Sequence, residues 1–492
     1  MSAPNLASQT TIPLDTLAEK PALIRGLSLL DCLLLLVGGI IGSSIFLTAK
    51  DIAGVLPNPL LFLGVWVLGA LISLFACFAF AEMGAMFPDS GGQYVFMREA
   101  YGDLVAFLYG WTMFAVVNGG SIAALSVASA SYLGLVVPAL SSEHVVLKLG
   151  VFTLTRVDVF ALVSILFVTW VNVVGLRQGA MLQNLATWAK FAAMAAFILL
   201  GFTIGKGSWS HFTMAGSGTI IGSGTTGSAA SVGLMAGLSA GHLLSAFGVA
   251  LIAVFWAYDG WIYITWVSGE IKDPQRNIPR GMLLGVVAVA VIYVAMNMTY
   301  VYAMPVTEIA QHDTIAHAAA TMLFFPGAAI WLSALIAVSC FGAMASCALS
   351  GARIYYAMAK DGIFFPKMGE VHPRWKTPAF ALIGQGVWGA VLTLSGRYDQ
   401  LYTYVMFMMV LSYTLGVGCL FIFRWKRPEL PRPYRCTGYP WLPALYILIG
   451  TVWTINTIWQ RPKEALAGTV IVLIGVPGYL YWKRSSGKRA AA

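Results

Sequence analysis

A chain of 492 residues that is 59% hydrophobic and only 10% charged is excluded from the soluble globular proteins, in which about a quarter of residues carry charge. Its formal charge of +9 would suit a nucleic-acid partner if it were gathered on one surface. Instead the Lys and Arg residues concentrate in alternate loops between apolar runs, which is the signature of a protein threaded through a bilayer.

Apolar runs near or above the roughly 20 residues needed to cross the hydrocarbon recur twelve times along the chain. They lie at 27–49, 59–83, 103–138, 157–175, 179–205, 244–268, 281–304, 326–359, 378–396, 400–424, 441–460 and 465–482. The first twenty residues are polar and carry no cleavable signal pattern. With the N-terminus inside, most Lys and Arg fall on the cytoplasmic side, so both termini are expected in the cytoplasm and the protein in the inner, cytoplasmic membrane. "RWKRPELPRPYR" from Arg424 and "KRSSGKR" from Lys483 then read as anchors beside anionic lipid, with no nucleic acid involved. Cys32, Cys77, Cys340, Cys347, Cys419 and Cys436 fall in spans or on the cytoplasmic side, so no structural disulfide is expected.

The first span, "LLDCLLLLVGGIIGSSIFLTAKDIAG", places Gly38, Gly39, Gly42, Ser43 and Ser44 at its centre, where weak helix-formers are least expected and an unpaired backbone group costs several kcal/mol. The sixth span, "FGVALIAVFWAYDGWIYITWVSGEI", is interrupted at Asp259 and Gly260. Broken helices at matching positions of two five-span halves point to a transporter built from inverted repeats. The loop "FPDSGGQYVFMREAYGD" after span two and the loop "MPVTEIAQHDTIAHAAATMLFFPG" after span seven fall on opposite sides, as inversion requires. The division is a cytoplasmic tail at 1–26, a first repeat at 27–205 and a Gly/Ser-rich outside loop at 206–243. A second repeat at 244–424, a basic cytoplasmic loop at 425–440, two peripheral helices within 441–482 and a basic tail at 483–492 follow.

Two motifs of soluble enzymes nearly occur. "GLSAG" from Gly237 matches the nucleophile elbow but follows no strand, and "GFTIGK" from Gly201 is one residue short of a phosphate-binding loop and lacks its final Ser or Thr. The histidines have no metal-ligand company. The spans hold no facing acids, metal cluster or Ser–His pair for an intramembrane enzyme. A selective channel usually needs a symmetric assembly around one pore. No enzyme activity and no cofactor are expected.

Four ordered segments resemble the amino acid–polyamine–organocation superfamily, and within it the L-type amino acid transporter branch: "GGIIGSSIF", "AEMGAMFPDSGGQYVFMREAYG" from Ala81, "FWAYDGWIYITWVSGEIKDPQRNIPR" from Phe255 and "SCFGAMASCALSGARIYYAMAKDG" from Ser339. The resemblance covers nearly the whole chain. It implies an all-α membrane protein of twelve spans with the leucine-transporter-like fold and broken spans one and six. The implied activity is sodium-independent alternating access, exchanging L-amino acids, most simply neutral ones. Proton symport and cationic substrates are the alternatives.

A break at mid-membrane leaves N–H groups at the start of its outer half-helix and C=O groups at the end of its inner one without intrahelical partners. A zwitterionic amino acid supplies both kinds of partner. Its carboxylate is expected at the N–H groups of Gly42, Ser43 and Ser44, and its ammonium at carbonyls of Ile40 and, by the family's pattern, of Trp256 and Asp259. The resemblance makes Trp256 the aromatic that closes over substrate, and Asn118 and Ser121 of span three are further candidates. Lys190 is the one basic residue read as lying inside a span, about eleven residues or roughly 16 Å deep, too deep to snorkel. In the branch a lysine here stands where sodium-coupled relatives hold a cation between spans one and eight. Its expected partners are therefore carbonyls near Gly38 and Ser339.

Two departures from the family are visible. Ser44 stands where the family commonly has Gly. The outside loop after span three, "SSEHVVLKLGVFTLTR", has none of the cysteine that links animal members to a glycoprotein subunit. This implies a stand-alone transporter of prokaryotic type, with no disulfide-linked heavy chain.

Overall fold

The computed structural model of the protein describes residues 23–149, 152–214, 240–312, 314–325, 327–395, 398–460 and 462–490. Most of the Gly/Ser-rich loop and most of the N-terminal tail lie outside the described residues. In chain order the helices are α1 (Leu29–Ile40), α2 (Ser44–Val55), α3 (Pro59–Met86), α4 (Gln93–Tyr101), α5 (Asp103–Thr112), α6 (Gly119–Val136), α7 (Arg156–Val174), α8 (Leu176–Thr203) and α9 (Ala240–Ala257). They continue with α10 (Tyr263–Trp266), α11 (Pro274–Ala303), α12 (Val306–Ile309), α13 (Ile315–Leu323), α14 (Ala328–Lys360), α15 (Ala379–Leu394), α16 (Tyr398–Lys426), α17 (Trp441–Gln460) and α18 (Pro462–Ala490). One departure from all-helix is a small antiparallel hairpin, β1 (Val145–Leu149) and β2 (Phe152–Thr155), within what the sequence suggests is loop.

Among the described residues nine helices are long and apolar enough to cross a membrane, or ten if α1 and α2 count as one bent span. The other two expected spans fall short for identifiable reasons. The apolar stretch of α9, Ser245–Ala257, is cut short at the break, and α15 has 16 residues, about 24 Å at helical rise. α5 runs into α6 through a π-helical turn at Met113–Asn118, so the third span is one element from Asp103 to Val136.

The first break is where the sequence placed its helix-breakers. α1 opens with a capping box, Ser28 and Asp31 bonding each other's backbone N–H, and ends at Ile40; α2 starts at Ser44 and leaves at 46° to it. The second break separates α9 from α10 by Tyr258–Ile262. Gly260 there takes φ +111°, and a Cβ on it would lie 2.9 Å from the Gly39 carbonyl carbon and 3.0 Å from the Ile40 nitrogen. The two breaks therefore touch backbone to backbone, an approach that only glycine at 260 permits. A Cβ on Gly39 would likewise lie 2.6 Å from the Tyr263 ring.

Around the breaks, α14 packs on α1, α6 and α8, while α11 packs on α1 and α3. α17 and α18 present large apolar side chains outward, among them Val452, Ile455, Trp459, Leu466, Leu473 and Ile474, as lipid-facing helices do. Several ion pairs gather at one end of the bundle, the basic end. Arg98 pairs with Asp361, Arg427 with Glu99 at 2.8 Å, and Arg424 and Arg432 with the buried Glu82 at 2.6 and 3.2 Å. Here too a parallel bridge joins Leu27 to Ile271, so the chain entering α1 is strapped to the chain leaving α10.

Candidate functional site

The first half-helix, α1, ends in carbonyls that α2 cannot use, and α8 supplies their partner. Lys190, fully buried, donates from Nζ to the carbonyls of Gly38 at 3.0 Å, Ile41 at 2.5 Å and Ser339 at 3.2 Å. An ammonium has three protons and all three are used. The cation also sits at a helix C-terminus, where the backbone dipole favours it. Ser339 adds a neutral tie from α14, its hydroxyl lying 3.1 Å from the Ile41 carbonyl and 3.3 Å from that of Gly42. Span one is thus joined to spans five and eight at its break.

Two groups expected to meet a zwitterion are bonded to each other in this conformation. The Gly42 N–H donates to the Ile40 carbonyl at 2.9 Å, and the Tyr293 hydroxyl of α11 lies 3.1 Å from the same carbonyl oxygen and 2.9 Å from that of Ala257. Tyr293 therefore bridges the two breaks. The Ile40 oxygen has no lone pair to spare until Tyr293 or Gly42 moves away. Ser43 and Ser44 are buried, and Ser43 makes no side-chain capping bond to α2; the Phe46 N–H donates to the Ser43 carbonyl at 3.1 Å, while the N–H groups before it have no acceptor within their own helix. The Trp256 carbonyl accepts from the Asp259 N–H at 3.2 Å, and its indole is half-buried.

The Asp259 side chain is bonded to α16. Its Oδ1 accepts from the Tyr413 hydroxyl of α16 at 2.5 Å, on a cavity of about 20 Å³ whose lining includes Ser73, Phe255, Tyr413 and Tyr446, room for a water. Asn118 is bonded to α14 and α15. Its Oδ1 accepts from the Cys347 thiol at 2.8 Å, and its Nδ2 lies 3.0 Å from Gln385 Oε1 and 3.2 Å from the Tyr355 hydroxyl. These contacts hold the π-helical turn against α14 and α15. Ser121 is half-buried on α6, one helical turn from Leu125, which lies beside Gly42, and so remains on the face toward the first break.

Lys190 is not the lone basic residue within a span. Arg353 of α14 is buried to 1% exposure and forks onto the buried Glu270, Nε to Oε2 at 2.6 Å and Nη2 to Oε1 at 3.0 Å. It lies inside the span read at 326–359, so the sequence already held a second basic residue within a span, and Tyr293 was hidden as one of 20 tyrosines. Among the described residues no group of three or more His, Cys, Asp or Glu side chains could hold a metal.

Along almost its full length, over residues 27–476, the chain matches the amino acid permease family. The chain belongs to that family. This permease is 28% identical to the b(0,+)-type amino acid transporter 1 of Mus musculus, across 95% of the chain and 91% of that protein. It is also 28% identical to the serine/threonine exchanger SteT of Bacillus subtilis (strain 168), across 95% of the chain and 98% of the exchanger. The large neutral amino acids transporter small subunit 2 of Homo sapiens is 26% identical, across 94% and 82% of the respective lengths. The permease is an all-α, multi-pass membrane protein of the amino acid–polyamine–organocation superfamily.

Proposed function

We propose that this permease exchanges L-amino acids, neutral and of small to medium size, across the cytoplasmic membrane by alternating access without sodium. The carrying observation is the pair of breaks in backbone contact, one with uncapped N–H groups at α2 and carbonyls bridged by the movable Tyr293 hydroxyl. Substrate carboxylate takes the N–H groups of Gly42, Ser43 and Ser44. Substrate ammonium displaces Tyr293 from the Ile40 carbonyl and reaches the carbonyls of Trp256 and Asp259, with Trp256 closing over it and Ser121 nearby. Lys190, with Gly38 and Ser339, holds the place of a cation, which removes the need for sodium. A relative that is an exchanger by name supports exchange over proton symport.

The architecture that goes with this reading is twelve spans in two inverted repeats, 27–205 and 244–424, with 441–482 peripheral. The nine-residue helices α4 and α13, each in the loop after the second span of its half, support the inversion. The basic end is cytoplasmic, both termini included. The permease works without enzymatic chemistry, cofactor or disulfide-linked heavy chain.

Ser43→Leu tests the carboxylate site. Bulk at a position 1% exposed blocks approach to the α2 amides, so substrate binding should fall by about 100-fold, roughly the 3 kcal/mol of a lost charge-assisted bond, while the protein still enters the membrane. Amino acid amides should bind wild type equally poorly. Wild-type affinity in the variant would remove this break as the carboxylate site.

A second reading, cationic substrates, is favoured by one observation: a carboxylate inside the bundle whose bonded partner is the neutral Tyr413 hydroxyl. Intramembrane acids generally serve a substrate, ion or proton. Under the neutral reading, arginine and lysine compete poorly with labelled substrate, and Asp259→Asn leaves that pattern unchanged. Strong competition by both, lost in Asp259→Asn while neutral exchange persists, would establish the cationic reading.

A further inference from the structure

Below Lys190, α8 carries a second set of polar side chains aimed at α1. Thr187 and Gln183, 0% and 1% exposed, lie one and two turns nearer the basic end on the same helical face. Gln183 Nε2 donates to the Leu34 carbonyl at 2.6 Å and to Thr187 Oγ1 at 2.8 Å. The Thr187 hydroxyl lies 3.4 Å from that same Leu34 oxygen and 2.9 Å from its own helix's Gln183 carbonyl. The Leu34 carbonyl is already within α1's ladder, so the bracket uses its second lone pair. One further step down, Asn184 Nδ2 donates to Asp31 Oδ1 at 2.7 Å, while Oδ2 of the same carboxylate caps α1 through Ser28. Gly38 is what lets the bracket close, because a Cβ there would fall 2.6 Å from Gln183 Nε2 and strike Thr187 as well.

The α8 side chains thus meet α1 at residues 31, 34, 38 and 41, a spacing of three to four that follows one face of each helix. We propose that Gln183 and Thr187 are positioning residues that bind the Leu34 carbonyl as a bracket, hold the inner half-helix α1 against α8, and set the rate at which α1 swings away to open the basic end. Lys190 fixes the break end of α1 and Asn184 fixes its start. The bracket between them is neutral, so no ionic bond has to break when α1 departs. Opening then costs the Gln183 bond to the Leu34 carbonyl at 2.6 Å, the longer Thr187 contact at 3.4 Å and the Asn184–Asp31 bond at 2.7 Å, all of which water can replace. The inference rests on the alternating-access reading for its purpose, yet its test does not need the substrate to be known.

Cys32 reports the motion. It is buried on α1, its Cβ 3.3 Å from where a Cβ on Gly281 of α11 would stand, and it becomes reachable only when α1 leaves. The full chain in liposomes is treated with N-ethylmaleimide and modification of each native cysteine is followed by peptide mass spectrometry. Gln183→Leu and Thr187→Val should each raise the modification rate of Cys32 by about fivefold or more, roughly 1 kcal/mol per lost hydrogen bond, while Cys77, buried on α3, keeps its wild-type rate. Thr187→Ser retains the hydroxyl and should behave as wild type. Should Gln183→Leu fail to fold, seen as Cys77 and Cys340 reacting together, the half-buried Asn184→Ala loosens the same ladder and should raise Cys32 alone. Cys32 rates unchanged in the folded Thr187→Val and Asn184→Ala proteins would overturn the bracket. Absence of amino acid exchange, with Cys32 still responding, would instead count against the transport reading and leave the bracket standing.

Discussion

Replacing Lys190 by alanine should reduce amino acid exchange by about 100-fold or more without unfolding the protein. The substitution leaves the carbonyls of Gly38, Ile41 and Ser339 without their common donor, and a buried acceptor stripped of its partner costs about 1–3 kcal/mol. Part of that cost is offset, because Ser339 Oγ still reaches Ile41 and Gly42 and because the Ala variant no longer buries an ammonium. What is lost is the fixed geometry of the break, which a substrate needs in one arrangement and the empty cycle needs in another. Arginine is no rescue. A planar guanidinium does not match the arrangement in which a compact ammonium serves three carbonyls. The check is the initial rate of labelled amino acid exchange in proteoliposomes, beside gel filtration of the purified variant. Exchange within a few-fold of wild type would leave Lys190 a purely structural residue.

The second large effect is on stability and comes from Arg353→Ala. Glu270 is 0% exposed, its carboxylate held bidentately by the Nε–Nη2 edge of the Arg353 guanidinium and its carbonyl accepting the N–H groups of Gly26 and Leu27. Removing the arginine leaves a buried carboxylate unpaired, which typically costs about 3–5 kcal/mol. Thermal unfolding of the detergent-purified protein should show a clearly lowered midpoint. The double variant Arg353→Met, Glu270→Gln should recover much of it, since removing both charges removes the desolvation penalty along with the attraction. A single variant as stable as wild type would mean that water reaches Glu270.

Much of this arrangement is legible in the sequence, for reasons that differ from residue to residue. The first break is legible because Gly38, Gly39, Gly42, Ser43 and Ser44 together oppose a helix at a depth where helix is otherwise compulsory. Lys190 is legible by arithmetic on helical rise, which forces its ammonium into the protein interior. Its carbonyl partners follow from the resemblance. The bracket residues were in plain view as well, Gln183 and Thr187 sharing a helical face with Lys190, but polar residues in membrane helices commonly bond any neighbour, and only the fold shows that theirs is α1. Asn118 is the opposite case. The π-helical turn at Met113–Asn118 inserts an extra residue and rotates the side chains that follow, so a period of 3.6 cannot say which way Asn118 points. Asp259 was legible as part of the second break but not as a partner of Tyr413, a contact across more than 150 residues of chain that depends on how α16 packs. The expected count of twelve spans exceeds what length and apolarity alone find among the described helices because a broken helix and a 16-residue one each fall below the threshold.

The most direct test of the account is uptake of labelled amino acids into liposomes that contain only this permease, with and without unlabelled amino acid inside, in sodium-free buffer. The account predicts saturable uptake of neutral L-amino acids that requires amino acid on the inner side and is indifferent to sodium. No saturable uptake with any of the twenty amino acids, or uptake that appears only with an inward sodium gradient, would contradict it.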